Sequence, residues 1–279
     1  VTRPTSPAIS FELFPPQTPE GVESLRLTCK QLRELKPDYF SVTFGAGGST
    51  RDRTQAIVFE IQKQEQAVAP HISCIASTRD SIRAMLDTYK SHGINRLVAL
   101  RGDLPSGMAQ AGEFRYAAEL VAFIRRNYGN AFHIEVAAYP EYHPQARSAQ
   151  EDLLNFKRKV DAGADTAITQ YFFNPDAYYH FRDECAEMGI TIPIVPGIMP
   201  VNRFAQLARF SDACGAEIPR WIRRKLEGYG DDSDAIREFG LDVVTQLCER
   251  LLRHGAPGLH FYTLNQAGPT TTICQRLGL

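Results

Sequence analysis

The stretch Ile9-Ser10-Phe11-Glu12-Leu13-Phe14-Pro15-Pro16 decides how the rest of the chain is read. Its apolar and aromatic residues suit a strand, and the two prolines end it because they cannot donate to a sheet ladder. Thr18-Pro19-Glu20 follows at once, with a capping hydroxyl, a proline at the first helical position and an acidic first turn. One strand therefore passes directly into one helix. An open, doubly wound sheet that binds a nucleotide usually places Gly-x-Gly-x-x-Gly at this junction. Phe14-Pro15-Pro16 carries no glycine, and the later Gly45-Ala46-Gly47-Gly48 lacks that spacing. The first strand-to-helix junction thus favours a closed barrel over a dinucleotide fold.

The same unit recurs along the chain. Apolar runs lie at residues 9–14, 39–44, 71–76, 96–100, 133–139, 166–173, 192–199 and 258–264. Most are continuous, as expected of parallel strands covered on both faces. Between them lie stretches of about fifteen residues with helical spacing, such as Leu25/Leu32/Leu35, Ile82/Met85/Leu86/Tyr89 and Leu120/Ile124. Thr78-Arg79-Asp80 and Asn174-Pro175-Asp176 repeat the capping signal. Eight strands alternating with helices over 279 residues is the arithmetic of an α/β protein, a (β/α)8 TIM-type barrel in one domain over 1–279. The eighth strand comes late, because residues 218–253 read as extra helix before it.

Composition narrows the function classes. Lys plus Arg is 31 and Asp plus Glu is 32, a net charge of −1, which leaves no footprint for nucleic acid. No apolar run approaches the length of about eighteen residues that a membrane helix needs, and the N-terminal residues lack the apolar core of a signal peptide. Cys29, Cys74, Cys185, Cys214, Cys248 and Cys274 are dispersed, with no Cys-x-x-Cys pair, which suits apolar packing in a reducing compartment. A cytoplasmic address is expected.

In a barrel of this kind the chemistry sits at the C-terminal ends of the strands. Those ends offer Glu12, Thr43, His71, Arg101-Gly102-Asp103, Tyr139-Pro140-Glu141-Tyr142-His143, Thr169-Gln170 and Tyr262-Thr263-Leu264-Asn265. No lysine lies in a strand, which argues against a Schiff-base aldolase. No closely spaced His/Asp/Glu set appears, which argues against a metal hydrolase. Glu12 stands out, since a carboxylate in an apolar strand is costly and burial would make it a plausible proton donor; a structural pair with a core Arg or Lys is the alternative. Asp103, two residues after Arg101, taken alone suits a local ion pair or turn cap better than a functional role. Asp152, Asn155, Arg158 and Lys159 fall within roughly 120° of one helix face, which taken alone suits a solvated surface. His71 and His143 suit hydrogen-bonding roles, and Phe172, Phe173, Tyr178 and Tyr179 suit the core.

Taken together, these segments resemble the catalytic domain of the methylenetetrahydrofolate reductases. The likeness is carried by Phe11-Glu12-Leu13-Phe14-Pro15-Pro16, by Ser41-Val42-Thr43-Phe44-Gly45-Ala46 with Arg51-Asp52-Arg53-Thr54, and by Leu100-Arg101-Gly102-Asp103. Ala138-Tyr139-Pro140-Glu141 with His143-Pro144, Ile168-Thr169-Gln170-Tyr171-Phe172-Phe173, Pro196-Gly197-Ile198-Met199-Pro200 and His260-Phe261-Tyr262-Thr263-Leu264-Asn265 complete it. It implies the short bacterial type, with the barrel alone. It further implies hydride transfer from NADH or NADPH to FAD and on to 5,10-methylenetetrahydrofolate, and a homo-oligomer.

By the same resemblance, Glu12 is the general acid, and Asp103 lies near both flavin and pterin. FAD contacts fall on Thr43, Phe44, Ala46, His71, Arg101, Gly102, Asp103, Tyr116, Ala117, Tyr139, His143, Ala146, Asp152, Asn155, Arg158 and Lys159. Substrate contacts fall on Asp103, Gln170, Gln206, Phe210 and Gln266. At the last position the family commonly has Arg, so the neutral Gln266 loses an ion pair to the substrate's glutamate tail. A flavin-free barrel lyase and a non-catalytic folate- or flavin-binding barrel are the competing readings. The missing strand lysine and metal set weigh against the first, and the presence of Glu12 and Gln170 weighs against the second.

Overall fold

A computed structural model describes residues 7–45, 50–102 and 112–279. In chain order the elements are β1 (Ala8–Leu13), α1 (Pro19–Arg33), β2 (Tyr39–Val42), α2 (Arg51–Lys63), β3 (Val68–Ser73), α3 (Arg79–Ser91), β4 (Arg96–Leu100) and α4 (Ala117–Tyr128). They continue with β5 (His133–Ala138), α5 (Ala149–Asp161), β6 (Thr166–Thr169), α6 (Pro175–Glu187), β7 (Ile194–Val195), β8 (Gly197–Ile198) and α7 (Phe204–Cys214). Last come α8 (Arg220–Gly228), α9 (Ser233–Arg253), β9 (Gly258–Tyr262) and α10 (Ala267–Arg276). All pairings between these strands are parallel, and β9 returns to lie beside β1. The barrel expected from sequence is thus present, with α8 and α9 as the extra helices before the last strand.

One expectation needs correcting. The run 192–199 is not one strand but two short ones on either side of Pro196, with β7 paired to β6 and β8 paired to β9. Proline offers no N–H to the ladder, so pairing breaks there. The Pro196 carbonyl still accepts from His260 N at 3.0 Å, and the barrel closes across the break. Gly197 is needed at this seam: a Cβ on it would lie 2.1 Å from the Thr169 carbonyl oxygen and 2.6 Å from the Tyr262 ring.

The helix starts follow their sequence signals. Thr18 Oγ1 accepts from Gly21 N, Thr78 and Ser81 form a reciprocal capping box, and Asn174 Oδ1 accepts from Asp176 N. Strand alternation then divides the side chains into two layers. Phe11, Leu13, Phe40, Val42, Ile72, Leu97, Val136 and Phe261 point outward and pack beneath the helices, together with Phe172, Phe173 and Tyr178. Tyr39, Ala69, Val98 and Ile168 form a separate cluster in the lumen, with Leu100 and Tyr262 against it. The lumen also holds polar groups. Tyr39 Oη reaches across it to donate to Glu135 Oε2 at 2.8 Å, and Tyr262 Oη donates to the Thr169 carbonyl at 2.6 Å.

Candidate active site

Glu12 is the next-to-last residue of β1, so its side chain projects into the lumen near the C-terminal rim. It is 22% exposed, with Oε2 3.5 Å from His71 Nε2 and 3.9 Å from His260 Nε2. Among the described residues no Arg or Lys pairs with it. Its carbonyl is fixed by a 2.6 Å bond from Thr263 Oγ1, and His260 is fixed by a 2.7 Å contact between Nδ1 and Ser10 Oγ. The carboxyl therefore stands on a braced backbone between two imidazoles. Burial pushes the Tyr262 hydroxyl well above its usual range, and the Glu12 charge adds to the shift, so that phenol stays neutral.

His71 is buried, and its Nε2 makes no hydrogen bond among the described residues. Burial lowers its pKa from 6.5 to about 4; Glu12 opposes the shift and His260 adds to it. The ring faces the Glu12 carboxyl, the group beside which a hydrogen-bonding role read from the sequence would be exercised. Because the folded pKa is the lower one, the unfolded chain binds the proton more readily between about pH 4 and 6.5. Stability should be full above that window and fall by roughly 3 kcal/mol as pH drops through it. Urea unfolding at pH 7 and near pH 4 checks this: His71→Gln should remove that part of the slope, and an identical slope would assign it to other groups.

At the end of β4, the Arg101 carbonyl accepts from Ser73 Oγ at 2.9 Å and from Ile75 N at 2.8 Å. Its guanidinium donates to Gln145 Oε1 at 2.5 Å, tying β4 to the segment after β5. Gly102 has φ +81°, and a Cβ there would lie 1.8 Å from Ser73 Oγ, so only glycine fits. Asp103 and Ala46 lie outside the described residues. Thr43 extends the β1 ladder through a 2.9 Å bond to the Leu13 carbonyl, and Phe44 is half-buried beside it.

The segment after β5 is internally braced. Tyr139 and His143 meet edge to face at 4.6 Å, His143 Nδ1 accepts from Gln145 N at 3.0 Å, and Ala146 N donates to the His143 carbonyl at 2.8 Å. His143 N donates to Asp152 on α5 at 2.9 Å. The helix face read from sequence divides in two. Arg158 is exposed and donates to Asn155 Oδ1 at 2.6 Å, whereas Lys159 turns inward and donates to the Ala137 carbonyl. Burial lowers the Lys159 amine to about 8, with the Asp152 charge opposing. Tyr116 and Ala117 stand at the head of α4, with the tyrosine ring largely exposed.

The expected substrate residues lie on β6, α7 and the head of α10. Gln170 follows β6; its Oε1 accepts from Tyr171 N at 3.0 Å. It lines a cleft with Tyr139, Glu141, Tyr171, Cys214 and Ala216. Gln206 and Phe210 lie one turn apart on α7, both half-buried, with the Arg209 guanidinium 5.7 Å from the Phe210 ring centroid. Gln266 is exposed and accepts from Asn202 Nδ2 at 3.0 Å. Sequence reading assigned no role to Ser10 or His260. The signal was available, since period-two alternation places Ser10 with Glu12, and His260 with Tyr262, on lumen-facing positions.

Comparison with known proteins agrees with this architecture. Residues 2–278 match the family model for methylenetetrahydrofolate reductase. The 5,10-methylenetetrahydrofolate reductase of Salmonella typhimurium is 44% identical, over 97% of this chain and 90% of its own length; that of Escherichia coli is 43% identical over the same shares. Methylenetetrahydrofolate reductase (NADH) 1 of Zea mays is 40% identical, over 98% of this chain and 48% of its own length. A solved Clostridium thermocellum protein that binds two copies of 5-methyl-5,6,7,8-tetrahydrofolic acid superposes with a TM-score of 0.71 at 17% identity, covering 98% of this chain and 96% of that one. That likeness is one of fold. Family match, sequence identity over nearly the whole chain and barrel architecture agree: the chain belongs to the methylenetetrahydrofolate reductase family.

Proposed function

We propose that the protein reduces 5,10-methylenetetrahydrofolate to 5-methyltetrahydrofolate, with FAD resident at the barrel mouth and NADH or NADPH as the donor. The observation that carries this reading is the Glu12 carboxyl at the rim, held between two imidazoles with no Arg or Lys partner among the described residues. The residues present fit a flavin. His71 Nε2 is a buried nitrogen with no hydrogen bond among the described residues, Tyr139 offers an aromatic edge, and Arg101 and the exposed Arg158 offer positive charge for a pyrophosphate. FAD held by these residues would supply the hydride relay between the nicotinamide and the folate one-carbon unit.

The chain's own work is then to position groups and supply one proton. Glu12 protonates a folate nitrogen, which weakens its bond to the bridging methylene and leaves that carbon ready to accept hydride. Burial keeps His71 neutral near pH 7, so the ring meets that carboxyl as an uncharged imidazole. The Gln170 amide, Gln206 and Phe210 orient the pterin, and Asp103 completes the contact with it. Purification followed by release and identification of bound flavin, then anaerobic reduction with each nicotinamide, tests the proposal. A protein that holds no FAD, or holds FAD that neither donor reduces, overturns it.

The charge assignment is separately testable. Arg158→Ala should weaken FAD binding by up to about tenfold at low salt and much less at high salt, because an exposed ionic contact is screened. Flavin titrations across ionic strength measure this. Equal affinity at every salt concentration would leave Arg158 as a solvated residue.

A further inference from the structure

Glu141 lies outside every role assigned so far. It follows Tyr139 by two residues on the turn after β5, it is half-buried, and Tyr142 beside it has φ +54°. Its Oε2 accepts from Glu217 N at 2.8 Å, across 76 residues of chain. Glu217 lies three residues beyond the end of α7. A second contact joins the same two segments: a Cβ built on Gly215 would lie 3.4 Å from the Pro144 ring, so the turn and the end of α7 are closely packed. A third anchor holds α7 one turn earlier, where Tyr171 Oη and Ser211 Oγ meet at 3.0 Å in the interior.

These contacts divide α7 into two faces. Leu207 and Ser211 form its buried seam against the barrel, and Gln206 and Phe210 flank that seam at one-turn spacing. The seam near Ser211 is fixed through Tyr171, beside Gln170. The C-terminal end is fixed through Glu141 and Pro144, on the turn that also carries Tyr139 and His143. Burial raises the Glu141 pKa, and the Glu217 backbone bond opposes that shift. We propose that Glu141 is a positioning residue: by capping Glu217 N it holds α7 over the barrel mouth and ties the folate-contacting helix to the turn that contacts the flavin. This rests on the proposed function in giving Gln206 and Phe210 to the folate and the turn of Tyr139 and His143 to the flavin.

The latch predicts a specific split. Glu141→Ala loses the acceptor, whereas Glu141→Gln keeps an amide oxygen able to take the same backbone N–H. A hydrogen bond of this kind, open to solvent at Glu217, supports about two- to tenfold in a local equilibrium. In Glu141→Ala, the folate concentration for half-maximal flavin reoxidation should rise by up to about tenfold, with the limiting rate within about threefold. Glu141→Gln should stay within about threefold of the parent. The saturating rate of flavin reduction by nicotinamide should be unchanged in both. Hydrogen exchange of the amides in 204–217, followed on the holoenzyme without folate, should quicken in Glu141→Ala and be restored in Glu141→Gln. Unchanged exchange and unchanged half-saturation in Glu141→Ala overturn the latch, as does equal loss of both half-reactions. A parent enzyme indifferent to folate overturns the functional reading instead, and the exchange experiment still decides the latch.

Discussion

Glu12→Gln should separate the two half-reactions more sharply than any other single change. Nicotinamide-driven reduction of FAD requires no proton delivered at the folate, whereas breaking the carbon–nitrogen bond of the methylene bridge does. The glutamine keeps the size of the side chain and can face the same two imidazoles, 3.5 and 3.9 Å from the carboxylate oxygen it replaces. What it lacks is an acidic proton. General acid catalysis is typically worth about 10²–10⁴-fold, so folate-dependent reoxidation should fall by that order. Flavin reduction should stay within about tenfold, because one charge removed near the ring changes the barrier by roughly a kcal/mol. Rapid mixing under anaerobic conditions reads the two rates separately. Equal losses in both would make Glu12 structural, and intact reoxidation would move the proton donor to another group. The braced backbone makes the first outcome informative: the Thr263 bond to the Glu12 carbonyl does not depend on the side chain, so the substitution leaves the strand in place.

How much of this was legible in the sequence depends on what each inference needed. The barrel needed only the recurrence of strand and helix, and capping residues such as Thr18, Thr78 and Asn174 marked the helix starts. The broken seventh strand was legible in principle, since Pro196 sits inside an apolar run, but continuous apolarity outweighed it. The division of the α5 face was not legible for a physical reason. Angular position placed Arg158 and Lys159 close together, yet lysine's long stem lets its amine turn back to the Ala137 carbonyl while arginine stays in solvent. The partners of Glu12 were hidden because they come from β3 and β9, at His71 and His260, both far along the chain from β1. Sequence can mark a costly carboxylate; only the closed barrel shows what faces it.

A second carboxylate makes the same point at the other end of the lumen, and it carries the largest expected effect on stability. Glu135 interrupts the run of β5 as Glu12 interrupts that of β1, but it is the third residue of its strand rather than the fifth, so it lies deep in the barrel. It is 1% exposed, accepts from Tyr39 Oη at 2.8 Å and is paired with Arg96, whose guanidinium also lies 4.5 Å from the Tyr39 ring centroid. Arg96 and Tyr39 each begin their strands, so this group floors the barrel on the side away from the candidate site. Arg96→Met should strand a buried carboxylate with one neutral donor. Breaking a buried pair in this way costs about 3–5 kcal/mol, which for a chain of this size lowers the melting temperature by roughly 5–15 °C. Arg96→Met combined with Glu135→Leu and Tyr39→Phe should recover most of that loss, because a packed apolar set replaces a buried ion pair at little net cost. Both half-reactions should proceed at near-parent rates wherever the variants remain folded, since Glu12 and its imidazoles lie at the opposite rim. Denaturant unfolding of the single and triple variants tests the cycle. A loss below about 1 kcal/mol in Arg96→Met would mean that water reaches Glu135 from the barrel floor and takes over the role of the guanidinium.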